Sequence, residues 1–330
     1  MSNILLSYQE IIDKIDQLEE ANILISALEL RIFSILGKRW MSAKQVSRAA
    51  KTQLDGTEML LNALSSMGVL EKQVNKYKNT QITYKYFCHS SLHFKKGTIM
   101  LKQENREEYE QLAKIIKEGR DLKSFDAGDD SKFRHLFTYA MHERSELYID
   151  KVAEIITKKP VGNLVDLGCG PGSYSTAILG RDKNATAVLI DRPVAVRVAR
   201  KIHKNFPVYK RLKFISGDLF DDDFGSDYDT VLLSNILHIY NPRENKTLFK
   251  KIYKALNEGG RFVLYDFFLK DNKIEPYDAA LFAITMLLYT KTGKSYTFSE
   301  VESLLKNEGF KHFKKSRVGH GSSIIEAIKI

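Results

Sequence analysis

A glycine-rich turn between a predicted strand and a predicted helix constrains this chain more than any other feature. Residues 165–172 read VDLGCGPG and place glycine at Gly168, Gly170 and Gly172. Glycine lets the backbone adopt left-handed conformations and approach a ligand closely, and the following helix presents free N–H groups and its positive dipole end. The spacing is GxGxG, whereas dinucleotide-binding loops have GxGxxG, and Pro171 lacks an N–H donor. The turn therefore predicts a ligand without pyrophosphate.

Short apolar runs and helical segments alternate from this region to the C-terminus. The runs typical of strands are LVDLG (164–168), AVLID (187–191), LKFISGD (212–218), YDTVLLS (228–234) and RFVLYDFF (261–268), and helices fit 173–180, 194–205, 242–257 and 297–308. This alternation predicts an α/β domain with a Rossmann-like, mostly parallel seven-stranded sheet and helices on both faces. Residues 311–318 and 322–330 are expected to add an antiparallel hairpin.

The first 90 residues follow another pattern. Helical periodicity over 7–36, an N-cap at Ser42, a helix over 54–67 and a hairpin whose second strand spans 77–87 are the order of a mainly helical winged-helix domain. Many such domains bind DNA, but residues 54–68 contain acids and neither Lys nor Arg, so this helix would repel phosphate. We expect no nucleic-acid partner, and we expect the apolar stripes of this domain to form a homodimer interface.

Length and composition set the remaining limits. The chain has 330 residues, 43% hydrophobic and 28% charged, which predicts a folded protein of more than one domain. We predict a winged-helix domain over 1–90, a helical linker over 91–159 and a cofactor-binding domain over 160–330. The net charge of +10 is spread along the chain and indicates a mildly basic surface.

Membrane and redox roles are not expected. The longest apolar run, 279–289, is too short to cross a bilayer, and the first residues lack the basic segment of a signal peptide, so we expect a cytoplasmic protein. Cys88 and Cys169 are too few for a disulfide framework or a zinc site.

Carboxylates at successive strand ends refine the ligand. Asp191 ends the second predicted strand, 25 positions after Asp166 (191 − 166), where an acid accepts both ribose hydroxyls. Asp218 ends the third strand, where it can accept from an adenine amino group with Leu219 or Phe220 beside the ring. Because the carboxyl ends of parallel strands meet at one edge, these acids and the glycine turn predict a site for S-adenosylmethionine, with S-adenosylhomocysteine as product. Ser234, at the end of the fourth strand, is expected to contact the same cofactor.

With these motifs in order, the sequence resembles the class I S-adenosylmethionine-dependent methyltransferases. Within them it is most similar to the small-molecule O-methyltransferases typified by plant caffeic-acid and bacterial antibiotic-tailoring enzymes. The resemblance rests on TEMLLNALSSMGVLEK, FTYAMHERS, VDLGCGPG, LIDRP, GDLF and SNILHIY, and spans most of the chain. It implies an N-terminal dimerisation domain and methyl transfer to a hydroxyl group of a small aromatic metabolite.

The resemblance also implies a catalytic pair. His238, in LHIY, stands where the family has its catalytic histidine, and an imidazole with its ordinary pKa near 6.5 suits a general base at neutral pH. Asp266 matches a family acid and is expected to hold the ring through one nitrogen. Two supporting acids are replaced in this chain, by Ile239 and by Ser295, which leaves methylation of carbon or nitrogen open as an alternative.

Substrate contacts are expected from two segments that match substrate-lining segments of the family. They are Phe137, Met141 and His142 in the first segment and Phe282, Met286 and Tyr289 in the second. The same residues at helical spacing are also compatible with ordinary core packing. The acidic run that begins at Asp218 is expected to be a solvated loop, and no metal is expected. A winged-helix DNA-binding regulator that senses the cofactor is the remaining alternative.

Overall fold

The computed structural model describes residues 5–120 and 131–330, with the side chains of 104–107 excepted. Contacts divide the chain into two compact units between Arg106 and Glu107. The predicted three-part division at residues 90 and 159 stays a prediction. None of the helices in the described ranges combines the length and the apolar character needed to cross a membrane.

The N-terminal unit is a helical domain with a small sheet. Its elements are α1 (Tyr8–Glu29), α2 (Ile32–Leu36), β1 (Met41–Ser42), α3 (Ala43–Ala50), α4 (Leu54–Ser66), β2 (Leu70–Gln73), β3 (Lys76–Asn79) and α5 (Gln81–Phe87). The strands lie in the order β1-β3-β2 and all pairs are antiparallel. This contains the helix, helix, turn, helix, hairpin order predicted for a winged helix, and adds the short strand β1 and the helix α5.

Capping determines where two of these helices begin. The Ser42 side chain accepts a hydrogen bond from Gln45 N and the Gln45 side chain accepts from Ser42 N, a reciprocal pair that starts α3. The expected second hairpin strand within 77–87 is shorter than predicted: β3 ends at Asn79, and Thr80 caps α5 by accepting from Thr83 N. The alternating pattern of this segment did not reveal the cap, because Thr is common in strands as well.

The C-terminal unit alternates strands and helices after a helical lead. The helices before the sheet are α6 (Lys96–Glu110), which carries the boundary between the units, α7 (Leu112–Glu118), α8 (Ser131–Ser145) and α9 (Ile149–Ile156). The elements that follow are β4 (Asn163–Leu167), α10 (Ser173–Arg181), β5 (Thr186–Asp191), α11 (Pro193–His203), β6 (Leu212–Ser216), β7 (Tyr228–Ser234), α12 (Pro242–Ala255), β8 (Leu256–Leu269), α13 (Tyr277–Tyr289), β9 (Tyr296–Thr297), α14 (Phe298–Asn307), β10 (Lys311–Gly319) and β11 (Ser322–Ile328).

The main sheet confirms the predicted fold class. Seven strands lie in the order β10-β11-β8-β7-β4-β5-β6. The strands β4 to β8 are parallel to one another, and β11 is antiparallel to both β8 and β10. The two-residue β9 pairs with β8 and is too short for a pattern to predict. The chain runs from β4 outward to β6 and then returns to β7 on the other side of β4, so the carboxyl end of β4 is a topological switch point.

Apolar cores cover both faces of this sheet. One face packs against α12 and α14 and includes Val165, Val231 and Phe249, and the other packs against α9, α10 and α11 and includes Leu164, Leu189 and Ile178. Because successive strand residues point to opposite faces, a strand covered on both sides is buried residue after residue, as β4 is over 164–167 and β7 over 230–234.

Candidate active site

The glycine turn joins β4 to α10 at the switch point. Gly168, Gly170 and Gly172 have φ values of 68°, 53° and 72°, the left-handed region that glycine tolerates without strain. A Cβ atom at Gly172 would lie 2.5 Å from Leu189 Cδ2, whereas a Cβ atom at Gly170 would meet nothing within 4 Å. The turn is therefore packed against the sheet at Gly172 and open at Gly170.

The N–H groups of the turn are largely paired within the protein. Gly168 N and Cys169 N donate to the Ile190 carbonyl at 2.9 and 3.1 Å, and Gly172 N donates to the Cys169 carbonyl at 2.8 Å. These donors shape the turn. The close approach of a ligand that the glycines predict stays a prediction, and the open side at Gly170 leaves room for it.

Asp191 is bound to the same turn. Its Oδ2 accepts from Gly170 N and its Oδ1 accepts from Arg192 N, both at 2.6 Å. Burial raises the pKa of Asp191, and these two backbone hydrogen bonds oppose that shift. Each carboxylate oxygen has a second lone pair, so the group retains acceptor capacity for two hydroxyls.

Asp166 lies under the turn and not in its opening. It is 1% exposed, and its Oδ2 accepts from Ser175 Oγ of α10 at 2.6 Å. Its Oδ1 is buried without a hydrogen-bond partner among the described residues. Burial raises the pKa of Asp166 to about 7, and the nearby Asp191 adds to the shift. In its present position, the Asp166 carboxyl does not make direct contact with a ligand in the opening.

Asp218 is held by a cation that the sequence analysis did not single out. Its Oδ2 lies 2.6 Å from an Arg192 nitrogen, and its Oδ1 accepts from Phe220 N at 2.7 Å. Burial raises the pKa of Asp218, but this hydrogen bond, a second one from Asp221 N and the charge of Arg192 outweigh it and hold the pKa below its ordinary value. The position of Arg192 directly after Asp191 was the available signal.

An aromatic pair stands beside these charges. The rings of Phe220 and Tyr240 are 4.8 Å apart and meet edge to face. Burial raises the pKa of Tyr240 to about 12, with Asp218 adding to the rise and Arg192 opposing it, which places this phenol in the field of both charges. Leu219 is buried in the core and Ser234 is the buried last residue of β7. Tyr240 was not predicted as a site residue.

His238 and Asp266 are in direct contact. His238 Nδ1 lies 2.6 Å from Asp266 Oδ1, and both side chains are buried, with Asp266 fully so. A carboxylate only accepts, so Nδ1 carries the hydrogen and Nε2 is the nitrogen able to take a proton. Asp266 Oδ1 also accepts from Phe267 N at 2.7 Å, which fixes the carboxylate. The catalytic roles of both residues stay predictions.

The backbone around His238 is fixed by one amide side chain. His238 lies in the 3-10 turn Leu237–Ile239 after β7. Asn245 Nδ2, fully buried on α12, donates to the Leu237 carbonyl at 2.9 Å and to the Tyr240 carbonyl at 3.0 Å. Ser295 donates to the Ala279 carbonyl at 3.2 Å, so that position supplies no carboxylate to the histidine.

The predicted substrate residues fall on two helices. On α13, the Phe282 ring lies 4.8 Å from the His238 ring at 90° and stacks on Phe267 at 4.5 Å. Met286 is buried and Tyr289 is partly buried on the same helix, and burial raises the pKa of Tyr289.

The other predicted residues lie on α8, which packs against α10 and α11. Phe137 is 39% exposed and Met141 is partly buried. The His142 Nδ1 atom is 2.8 Å from Ser173 Oγ, so this ring contacts the first residue of α10, directly after the glycine turn. No substrate contact is assigned to these three residues by the structure, and their role stays a prediction.

These features define the class of protein. A parallel sheet with a GxGxG turn at its switch point, an open side at Gly170 and a carboxylate bound to the same residue fit S-adenosylmethionine, because a nucleoside without phosphate needs close backbone approach and acceptors for its hydroxyls. This is the arrangement of a class I methyltransferase domain.

Comparison with known families identifies the chain further. The family model of the O-methyltransferase domain matches residues 101–311, and the O-methyltransferase dimerisation domain matches residues 13–87. The chain belongs to the O-methyltransferase family and is an S-adenosylmethionine-dependent O-methyltransferase, which confirms the resemblance and the cofactor predicted from the sequence.

Individual relatives extend over nearly the whole chain. Acetylserotonin O-methyltransferase of Bos taurus is 26% identical over 319 residues, covering 91% of this chain and 91% of that protein. L-tyrosine C(3)-methyltransferase of Streptomyces lavendulae is 24% identical over 300 residues, covering 86% and 82%. The crystal structure of human N-acetylserotonin methyltransferase in complex with S-adenosylmethionine matches with a TM-score of 0.84 at 22% identity, covering 100% and 99%, and shares the fold.

Proposed function

We propose that this protein methylates a hydroxyl group of a small aromatic metabolite, with His238 as the general base. The observation that carries the proposal is the 2.6 Å contact between His238 Nδ1 and Asp266 Oδ1, because it leaves Nε2 as the proton acceptor. Bound S-adenosylmethionine supplies an electrophilic methyl group on a sulfonium. Every other step is performed by groups of the chain.

Cofactor binding is proposed at the opening beside Gly170. Asp191 is placed to accept from the ribose hydroxyls, and the Phe220 and Tyr240 rings to border the adenine. Asp218 is oriented by Arg192 and by the N–H of Phe220, so its carboxylate is held at the edge of the same opening. Gly168, Gly172, Asp166, Leu219 and Ser234 are proposed to shape this site from below.

Proton removal is the proposed task of the histidine. As the acceptor hydroxyl attacks the methyl carbon, His238 Nε2 takes its proton, and the Asp266 carboxylate stabilises the imidazolium that forms. A positioned base of this kind contributes about 100- to 10,000-fold to a rate, and holding the two reactants together supplies much of the rest.

The acceptor class follows from the aromatic surroundings of the base. Phe282 meets the His238 ring edge to face and Phe267 stacks on Phe282, so the base is bordered by apolar ring surface. A flat aromatic acceptor suits this surface. The relative named for acetylserotonin carries an aromatic substrate in its name, which supports the same class. Met286 and Tyr289 on α13, and Phe137, Met141 and His142 on α8, are proposed as further contacts.

Methylation of carbon is the second candidate. It is favoured by the relative named for methylation of tyrosine at carbon 3 and by the replacement of two acids by Ile239 and Ser295. A phenol deprotonated by His238 is also activated at its ring carbons, so the same base serves both reactions. Methylation of nitrogen is the remaining variant.

The test is turnover with defined acceptors. The protein is incubated with isotopically labelled S-adenosylmethionine and a panel of phenols, aryl amines and tyrosine derivatives, and the methylated atom is located by NMR. O-methyl products dependent on His238 support the proposal. C-methyl products place the reaction in the second candidate, and failure of the native protein to bind S-adenosylhomocysteine in calorimetry contradicts the cofactor site.

We further propose a homodimer formed through the N-terminal domain. The first helix exposes an apolar stripe at helical spacing, namely Tyr8, Ile11, Ile15 and Leu18, each at least 48% exposed. Such a stripe on a charged helix favours a partner surface, and the matched dimerisation domain includes part of it.

The first turns of α4 carry Asp55 and Glu58, which disfavours DNA as the partner. The cytoplasmic location and the independence from metal stay predictions.

A further inference from the structure

Two histidines from different helices contact the cofactor turn. His203, the last residue of α11, has its Nε2 atom 2.8 Å from the Pro171 carbonyl oxygen. His142, on α8, has its Nδ1 atom 2.8 Å from the Ser173 hydroxyl. The two rings are 5.9 Å apart and meet edge to face at 87°. The turn from Pro171 to Ser173 is thus contacted on both sides of Gly172.

The contact with Pro171 supplies a hydrogen bond that the turn itself does not provide. Gly172 N closes the turn by donating to the Cys169 carbonyl, and Pro171 has no N–H. Pro171 is buried, and a buried carbonyl without a donor is costly. Since a carbonyl only accepts, His203 Nε2 carries the hydrogen and donates it.

His203 is held as a neutral imidazole in one tautomer. It is 1% exposed, and its Nδ1 atom has no hydrogen-bond partner among the described residues. Burial lowers the pKa of His203 to about 4. The ring also borders the turn sterically, because a Cβ atom at Gly172 would lie 3.8 Å from His203 Cδ2. A neutral, buried donor of this kind serves geometry and not proton transfer.

The contact with Ser173 anchors the other side. Ser173 is the first residue of α10 and is 1% exposed, and Ser175 of the same helix donates a hydrogen bond to Asp166. His142 therefore connects α8 to the start of α10 at the point where the turn ends. The substrate contact proposed for His142 stays a proposal beside this contact of its Nδ1 atom with Ser173.

We propose that His203 and His142 are positioning residues that hold the Pro171–Ser173 turn in the conformation that binds S-adenosylmethionine. The inference rests on the proposed cofactor site at Gly170. His203 acts through the Pro171 carbonyl and His142 through the Ser173 hydroxyl, and neither touches the reacting atoms. Together, the two contacts join α8 and α11 to the cofactor turn.

The test compares two replacements of nearly equal length in the full-length protein. His203→Gln places an amide N–H near the former Nε2 position, whereas His203→Met keeps the volume and removes the donor. His203→Met is expected to raise the dissociation constant of S-adenosylhomocysteine about tenfold in calorimetry. His203→Gln is expected to keep most of the native affinity. The maximal rate at saturating cofactor is expected to stay within about twofold of native for both.

Hydrogen exchange of the ligand-free protein gives a readout that does not depend on binding. The Gly172 and Thr176 amides, which donate to the Cys169 and Gly172 carbonyls, are expected to exchange about tenfold faster in His203→Met and at the native rate in His203→Gln. Equal effects of His203→Gln and His203→Met in both measurements would indicate ordinary packing and would overturn the positioning role of His203.

Ser173→Ala tests the proposal independently and remains informative if the His203 variants fold poorly. It removes only one hydroxyl and is expected to weaken S-adenosylhomocysteine binding several-fold while His142→Leu adds little in the same background. Full additivity of the two changes would overturn the role of His142. A native protein that does not bind S-adenosylhomocysteine contradicts the proposed function, and the exchange rates then still decide whether His203 holds the turn.

Discussion

His238 Nδ1 and Asp266 Oδ1 are 2.6 Å apart, although 28 residues separate them in the chain, and Asp266 is fully buried. His238 follows β7, and Asp266 lies within the neighbouring parallel strand β8, directly after Tyr265, which pairs with Ser234 at the end of β7. The contact directs Nε2 away from the carboxylate, so the chemistry proposed for His238 depends on this single hydrogen bond.

Removal of the imidazole is the first prediction. His238→Ala is expected to lower the maximal rate at least 100-fold, roughly the low end of general-base catalysis, because no other described group replaces Nε2. The dissociation constant of S-adenosylhomocysteine is expected to stay within about twofold of native. Steady-state kinetics and calorimetry measure both. An unchanged rate would refute a base role for this residue.

Asp266→Asn is expected to lower the maximal rate by roughly 10- to 100-fold, which corresponds to the loss of a charge-assisted hydrogen bond. The amide keeps the shape of the side chain but not the charge that stabilises an imidazolium. Cofactor affinity is the internal control and should not change. If kcat is retained, Asp266 is a structural partner of the ring only.

Gly170→Ala and Gly172→Ala form a matched pair, since both positions have positive φ and pay similar left-handed strain. Gly172→Ala is expected to lower the melting temperature further, because its Cβ would lie 2.5 Å from the buried Leu189 side chain. Gly170→Ala has open space and is expected to fold but to bind S-adenosylhomocysteine at least about tenfold more weakly. Native affinity in Gly170→Ala would place the cofactor elsewhere.

The buried carboxyl of Asp166 predicts a pH-dependent stability. Its pKa is raised to about 7 in the folded protein from an ordinary value of 3.8. Between these two pH values the folded state keeps the proton, whereas the unfolded state releases it. Stability contributed by this group is therefore present at low pH and is lost as pH rises toward 7, by a few kcal/mol in all.

Asp166→Asn removes that loss and keeps an acceptor for Ser175. We compare the melting temperatures of Asp166→Asn and the native protein at each pH. The advantage of the variant is expected to grow by several degrees between about pH 5 and 8, because only the native protein loses the stability described above. Differential scanning calorimetry of the ligand-free protein measures it, and Asp150→Asn on the exposed face of α9 is the control. A difference that does not vary with pH would show that Asp166 ionises alike in both states.

Ile15→Lys is expected to convert the proposed dimer into a monomer at micromolar concentration in light scattering, because it places a charge in the middle of the exposed apolar stripe of α1. Gln17→Lys adds the same charge on the opposite face of that helix and is expected to leave the dimer intact. A native protein that is monomeric, or equal effects of the two variants, would contradict this interface.

Much of the proposed site could be predicted from the sequence because it depends on local signals. The glycine turn has a spacing that specifies its ligand class, and Asp191 and Asp218 could be placed because strands of a parallel sheet end at one edge. Arg192, Tyr240 and His203 were missed for a physical reason. Each acts through a partner distant in sequence, and a lone charged or aromatic residue on a helix or loop carries no periodic signal.

By itself the sequence determined the parallel α/β fold, the winged-helix order and the class of cofactor, since hydrophobic periodicity, caps and glycine spacing are local properties of the chain. Only the tertiary structure decided which polar groups are paired: that Asp166 is buried under the turn, that Arg192 holds Asp218, and that two histidines contact Pro171 and Ser173. Such pairings arise where separate elements pack together, and the distances between them are set by the whole core.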